Sequence, residues 1–232
     1  MRERSEELQQ NLRRVRERIT RAVEAAGRTP EDITLLPVTK FHPASDIALL
    51  AELGVREVGE NREQEARAKA EELPSVQFHM IGQVQTKKAN SVARWATSVH
   101  SVDSLKLVAA LDRGAGRALE RGERARPLDC FVQWSADGDT QRGGATEVGP
   151  LIDALVAAEH LRPAGIMCVP PVGSDPAEVF ARAQRLRAEQ QERLGSGLLL
   201  SAGMSGDMSE AIAAGTDIVR VGTGIMGARP LA

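Results

Sequence analysis

The residue with the clearest chemical potential is Lys40, which ends the run Thr34-Leu35-Leu36-Pro37-Val38-Thr39-Lys40. A short apolar run of this kind reads as a strand buried on both faces. An amine at the rim of a core is partly desolvated, which lowers its pKa. Only the neutral amine attacks a carbonyl. Two readings of Lys40 are therefore open: a Schiff-base lysine, and a strand-end lysine that snorkels into water. Far along the chain, Gly203-Met204-Ser205-Gly206-Asp207 and Gly222-Thr223-Gly224 combine glycines with hydroxyls. Glycine lets backbone N–H groups approach an anion closely, and Ser205 and Thr223 add hydroxyl donors. A helix opening after Ser205 adds its positive end. This composition predicts a phosphate site, the alternative being two tight turns. Taken alone, Asn61 reads as a helix cap and His79 as a satisfied core histidine. His42, His100 and His160 show no ligand spacing, so no metal site is expected.

These residues have to be positioned by something, and the pattern around them is regular. Residues 4–26 form an amphipathic helix, with Leu8, Leu12, Val15, Ile19 and Val23 on one face. Strand and helix patterns then alternate. Strands are expected at 33–38, 57–59, 76–81, 98–102, 128–134, 162–169, 197–202 and 217–221. Helices are expected between them, with Asn61 and Gln64, Asp103, and Asp207 with Glu210 as capping groups and Asp175-Pro176 as a helix start. The mixed-charge run 63–72 reads as a solvated helix face, and Lys87-Lys88 as a solvated pair. Gln141-Arg142-Gly143-Gly144 reads as a lid or a surface loop. Alternation of this kind implies parallel strands joined by crossovers. Eight such units in about 250 residues is the arithmetic of a (β/α)8 barrel; an open doubly wound sheet is the second choice. Too few residues follow the last strand for a normal eighth helix, so the N-terminal helix is expected to fill that place. With no internal repeat or linker, residues 1–232 read as a single domain. In a barrel, Lys40, Asn61, Ser205, Gly206, Arg220, Gly222 and Thr223 would all gather at the C-terminal mouth.

Composition excludes several classes. The chain has 232 residues, 42% hydrophobic and 27% charged, with a formal net charge of −2. This is ordinary for a globular protein and gives no global field for nucleic acid or an anionic membrane. The first residues are charged and lack a signal-peptide core. No apolar run is long enough to span a bilayer. Cys130 and Cys168 each sit in an apolar run and read as small buried hydrophobes, so a cytoplasmic location is expected. Gly222-Thr223-Gly224-Ile225-Met226-Gly227 fits G-x-G-x-x-G, but a dinucleotide fold needs a further helix, strand and acid about twenty residues on. The chain stops at Ala232, so that reading fails.

Five blocks occur in order: Leu36-Pro37-Val38-Thr39-Lys40, Gly59-Glu60-Asn61, Phe78-His79-Met80-Ile81-Gly82, Gly203-Met204-Ser205-Gly206-Asp207-Met208, and Arg220-Val221-Gly222-Thr223-Gly224-Ile225-Met226-Gly227-Ala228-Arg229. Together they resemble the signature of the pyridoxal-phosphate homeostasis protein family, related to the N-terminal barrel of alanine racemase. The resemblance spans nearly the whole chain. It implies that Lys40 forms an internal aldimine with pyridoxal 5′-phosphate. It also implies that Ser205, Gly222 and Thr223 hold the phosphate, that Gly206 is a further cofactor-binding residue, that Arg220 faces the pyridine nitrogen and that Asn61 lies beside the ring. The chain departs from the family pattern at Phe41-His42-Pro43, at Arg62 and at Gln85-Thr86-Lys87-Lys88.

The resemblance leaves a choice between enzyme and carrier. A racemase needs an acid–base group on each face of the cofactor. In alanine racemases one is a tyrosine from a second domain, and this chain has no tyrosine. An arginine at the ring nitrogen disfavours the pyridinium form and weakens the electron sink. The expected role is therefore a non-catalytic, monomeric pyridoxal 5′-phosphate carrier that holds the cofactor and delivers it transiently to apoenzymes. A stand-alone racemase and a Schiff-base aldolase barrel are the alternatives.

Overall fold

The computed structural model describes residues 2–228. Eight strands, β1 (Thr34–Pro37), β2 (Glu57–Glu60), β3 (Gln77–Met80), β4 (Ala96–Val102), β5 (Leu128–Trp134), β6 (Leu161–Cys168), β7 (Leu199–Ser201) and β8 (Ile218–Val221), form one parallel sheet in the order β1-β8-β7-β6-β5-β4-β3-β2. A parallel bridge from Val38 to Gly59 joins the two ends, where the Thr39 N–H donates to the Gly59 carbonyl at 3.0 Å. The sheet is thus a nearly closed (β/α)8 barrel, with β1 and β2 meeting only at their C-terminal ends. Helices α2 (Ala44–Glu52), α3 (Glu63–Glu72), α4 (Ala89–Trp95), α5 (Leu105–Glu120), α6 (Gly149–Ala157), α7 (Pro176–Leu194) and α8 (Met208–Ala213) follow β1 to β7 in turn.

Strand alternation sorts the side chains into two environments. Outward-facing Val99, Val132, Ile166 and Leu200 join the large core beneath α4 to α7, while Val58, Phe78, Val219 and Val221 join a second core beneath α1, α2 and α8. The barrel interior holds only a small apolar cluster of Leu36, Phe131, Met167 and Ile218. The rest of the interior is polar: His79, Ser98, His100, Ser201 and Arg220 are all buried there.

Helix α1 (Arg2–Ala25) occupies the place of a missing outer helix, beside α8, α2 and the four-residue α9 (Thr223–Met226). Its Leu8, Leu12, Val15, Ile19 and Val23 are buried against Ile47, Met208, Ile212 and Ile225. Each such side chain contributes about 1.5–3 kcal/mol relative to exposure. Polar stitches fix its register: Asn11 Nδ2 donates to the Ile225 carbonyl at 2.9 Å, Arg4 Nη2 to that of Met226 at 2.9 Å, and Arg18 Nη2 to that of Ser205 at 2.8 Å.

Three expected caps are corrected. Helix α3 is preceded by Arg62 rather than Asn61, with no side-chain cap bond. Chain pairing at the barrel top holds Asn61 out of the helix: Ile81 N–H donates to the Glu60 carbonyl at 2.9 Å, and Asn61 presses on Gly82. Helix α5 is capped by Ser104, whose hydroxyl accepts from Leu107 N–H, and not by Asp103. Asp207 stands at the start of α8, but its carboxylate turns back to accept the Met204 N–H at 2.6 Å. Asp175 does cap α7, accepting from Ala177 N–H at 2.9 Å.

Candidate functional site at the barrel mouth

The C-terminal strand ends meet as a continuous rim. Val38 N–H donates to the Val221 carbonyl at 2.9 Å, which ties the end of β1 to the end of β8. A Cβ added to Gly222 would lie 3.6 Å from both Cβ and the carbonyl oxygen of Val38. Lys40 follows two residues later and is half-buried. Alternation continued past β1 puts Lys40 on the side of Leu36, the barrel interior, and Thr39 on the opposite side. Toward β2, Thr39 N–H reaches Gly59, and Asn61 lies against Gly82 at the end of β3. Ser101 in β4 continues the rim, its hydroxyl donating to the Gly82 carbonyl at 2.6 Å. Lys40, Asn61, Gly222 and Thr223 therefore come together along one arc.

The loops after β7 and β8 face each other. A Cβ on Gly224 would sit 3.4 Å from Ser205 Oγ. Thr223 opens α9, so its N–H and that of Gly224 are first-turn groups without an intrahelical acceptor. Gly203 takes φ +94°, and a Cβ there would lie 2.5 Å from the Ala211 Cβ, so the turn into α8 requires glycine. Gly206 has open space around it. Ser205 and the first turn of α9, with glycine backbone between them, form a small cradle of donors. Arg229, the last residue of the final sequence block, lies outside the described residues.

Arg220 is buried beneath this cradle. Nη1 donates to Ser201 Oγ at 2.8 Å and Nη2 to the Cys168 carbonyl at 2.9 Å. Burial draws its guanidinium below the ordinary value, although an arginine stays charged. The Cys168 thiol is pushed up to about 12 by burial, which makes it an inert hydrophobe.

A group that the sequence pattern concealed underlies the Lys40 turn. Lys69, in the charged run of α3, is only 6% exposed. Its Nζ donates to the Thr39 carbonyl at 3.0 Å and to Glu60 Oε1 and Glu65 Oε1, each at 2.7 Å. Thr39 Oγ1 donates to the same Glu60 oxygen at 2.6 Å, and Glu65 accepts the Phe41 N–H at 2.7 Å. Phe41 has φ +70°, a left-handed conformation that costs a non-glycine residue about 1–3 kcal/mol. The cluster grips the backbone on both sides of Lys40 and holds this strained turn. The Arg62 guanidinium lies 4.8 Å over the Phe41 ring, so two of the departures from the family pattern touch each other.

Two other expectations resolve locally. Lys88 is not merely solvated but pairs with Glu63 at 3.0 Å. The 135–145 loop folds on itself, with Arg142 paired to Asp137 and Asp139 and a bridge from Trp134 to Ala145. Among the described residues no group of three His, Cys, Asp or Glu side chains could hold a metal ion. One close approach makes a sharp prediction. A Cβ at Gly82 would sit 2.2 Å from the Asn61 carbonyl oxygen. Gly82→Ala is expected to cost about 1–3 kcal/mol by overpacking and to shift the Asn61 amide resonance. An unchanged urea midpoint with an unmoved Asn61 signal would contradict the contact.

Comparison with known proteins places this geometry. Residues 5–230 match the model of the family described as alanine racemase, N-terminal domain. A protein of Corynebacterium glutamicum named pyridoxal phosphate homeostasis protein is 54% identical over 218 residues, covering 93% of this chain and 99% of that protein. A solved structure of a protein from Bifidobacterium adolescentis superposes with a TM-score of 0.84 at 30% identity, covering 96% of this chain and 95% of the other. The structure of PipY from Synechococcus elongatus PCC7942, with PLP bound, superposes with a TM-score of 0.79 at 32% identity, covering 95% and 100%. Matched by the family model over residues 5–230 and by these relatives along almost its full length, this chain belongs to the pyridoxal phosphate homeostasis protein family.

Proposed function

We propose that this protein binds pyridoxal 5′-phosphate at the barrel mouth, holds it covalently through Lys40, and takes part in keeping and delivering the cofactor inside the cell. The observation that carries the reading is the pairing of β1 with β8. It brings the chain just before Lys40 next to the loop after β8, and that loop faces the loop after β7, which supports a phosphate held between them. The donor set fits the group: Ser205, Gly206, Gly222 and Thr223 would hold the phosphate, Arg220 would face the ring nitrogen, and Asn61 would flank the ring. When bound, pyridoxal 5′-phosphate supplies an aldehyde that condenses reversibly with a neutral amine, water leaving. The remaining work belongs to the chain, which would keep Lys40 half-buried and hold the anion by hydrogen bonds.

Residues 1–232 act in this reading as one unit, a monomer in the cytoplasm that meets apoenzymes transiently. No helix among the described residues is long and apolar enough to cross a membrane. Catalysis is not part of the role, because no tyrosine is present to serve the second face of a bound substrate. Turnover of any amino acid that Lys40→Ala abolishes would replace the carrier reading with a racemase.

The deciding experiment is borohydride reduction of the loaded protein followed by mass mapping. The chain has five lysines. Lys69 is committed to three acceptors and is a poor nucleophile. The expected adduct is on Lys40 alone. An adduct on Lys69, Lys87, Lys88 or Lys106, or none, would overturn the assignment.

A further inference from the structure

A column of polar side chains runs through the barrel from mouth to base. Arg220 Nη1 donates to Ser201 Oγ at 2.8 Å, and His100 Nδ1 lies 3.0 Å from the same oxygen. His100 Nε2 lies 3.3 Å from His79 Nδ1, which is also 2.7 Å from Ser98 Oγ. His79 Nε2 lies 3.0 Å from Glu57 Oε2, off the ideal line of an N–H bond. The interior is otherwise apolar: Phe131 stacks on the His100 ring at 4.2 Å and 26°, with Leu36, Met167 and Ile218 around them.

Hydrogen-bonding capacity gives the column one direction. A guanidinium only donates, so Ser201 Oγ accepts from Arg220, which leaves the Ser201 proton available to His100 Nδ1. His100 is fully buried beside a cation, and burial together with the Arg220 charge holds it well below the usual imidazole range. With the Ser201 proton directed at His100 Nδ1, a neutral His100 carries its one N–H on Nε2, pointing at His79. In the same sense His79 Nδ1 is the acceptor shared by His100 Nε2–H and the Ser98 hydroxyl, and His79 carries its own proton on Nε2, toward Glu57. Every link donates from the cation at the mouth to the carboxylate at the base. Glu57, His79 and Ser98 line a basal cavity of about 360 Å³, whose other charged walls are the paired Asp129 and Arg162. The groups charging the upper end are Arg220 and, beyond it, Asp207.

We propose that this column is a positioning device for Arg220, and that it couples the electrostatics of the mouth to the basal Glu57–His79 pair on the opposite face of the barrel. Ser201, His100 and His79 are its positioning residues. A chain of bonds pointing one way polarises cooperatively, and a buried network of this kind costs desolvation that an apolar interior would avoid. The proposal rests on the reading of Arg220 as the group that faces the cofactor ring.

The test has two arms. In the protein without cofactor, ¹⁵N resonances of the imidazoles report the tautomers. Both His79 and His100 are expected as Nε2–H, and a His100 with its proton on Nδ1 would overturn the direction of the column. In the protein loaded with pyridoxal 5′-phosphate, Ser201→Ala is expected to weaken binding about tenfold. It should also move the pH midpoint of the visible absorbance by about one unit, the scale of one charge-assisted bond. Ser201→Thr keeps the hydroxyl and should restore both. His79→Leu touches no atom of Arg220 and should move the midpoint in the same direction by less. Superimposable pH profiles for wild type, Ser201→Ala and His79→Leu would refute the coupling. A wild type that never takes up the cofactor would sink the functional reading instead, and the tautomer arm would still decide the column.

Discussion

Lys69→Met is expected to cost about 3–5 kcal/mol of stability at neutral pH, the penalty for leaving a buried charge without its partner. Lys69 serves three acceptors at once, and Glu60 is fully buried. The second Glu60 oxygen, Oε2, is buried with no hydrogen-bond partner, so this carboxylate depends on Lys69 and Thr39 through Oε1. Burial raises the Glu60 pKa above the ordinary carboxylate value, and Lys69 holds the rise in check. A raised folded-state pKa means that the stability linked to the protonated form is present in full at low pH and lost as pH rises through the folded value. Removing Lys69 enlarges that rise. The deficit of Lys69→Met should therefore be greatest at neutral pH and shrink as pH falls through the raised Glu60 value. Urea unfolding of both proteins at pH 7 and pH 5 measures this. A loss under about 1 kcal/mol at pH 7, the range of an exposed pair, would show that the cluster is solvated. The variant should also loosen the Phe41 turn, whose left-handed backbone Glu65 holds, and so blunt the reactivity of Lys40.

The second large effect concerns the phosphate cradle. Ser205→Ala combined with Thr223→Val is expected to weaken pyridoxal 5′-phosphate binding by about a hundredfold or more, since each removes a hydrogen bond to a charged group. Binding of unphosphorylated pyridoxal should change by less than about threefold, within the scatter of ordinary substitutions. The contrast between ligands is the informative quantity, because a general loss of fold would lower both alike. Equal losses, with an unfolding midpoint like that of wild type, would refute the assignment of Ser205 and Thr223. Both side chains are half-buried or exposed, and neither reaches into the apolar core, so the double variant should fold.

Much of this was legible in the sequence where the signal is local. The seven-residue strand β5, five of its residues apolar, stands at 128–134 as its pattern predicts, and the five-residue apolar face of α1 is buried as its spacing predicts. The rim residues were legible because strand ends carry them. Lys69 was not. Its charge and spacing match those of its solvated neighbours, and only the approach of α3 to the end of β1 decides that it is buried. His100 and Ser201 escaped for a related reason. They are 101 positions apart, and each alone is an ordinary polar residue in an apolar strand. The signal available was their placement on inward-facing positions of two barrel strands, where a polar side chain needs a partner. The caps failed differently. Asp103 and Ser104 are both capping types one position apart, and Asp207 had a second local acceptor role in its own loop. Such choices are settled by tertiary register, which no short window contains.

The stitching of α1 to the loops after β7 and β8 has a consequence for how the protein is made. The bonds from Arg18 to Ser205, Asn11 to Ile225 and Arg4 to Met226 span 187, 214 and 222 positions. Long-range closure of this kind is entropically expensive and slow. On a translating ribosome the first helix emerges long before its partners, and its apolar stripe waits uncovered, a natural substrate for a chaperone. The cradle opposite Lys40 acquires its backing only when the last strand has been synthesised and docked. Under the proposed assignment, a nascent chain carries Lys40 for most of its synthesis without the loops that would retain a phosphorylated aldehyde beside it.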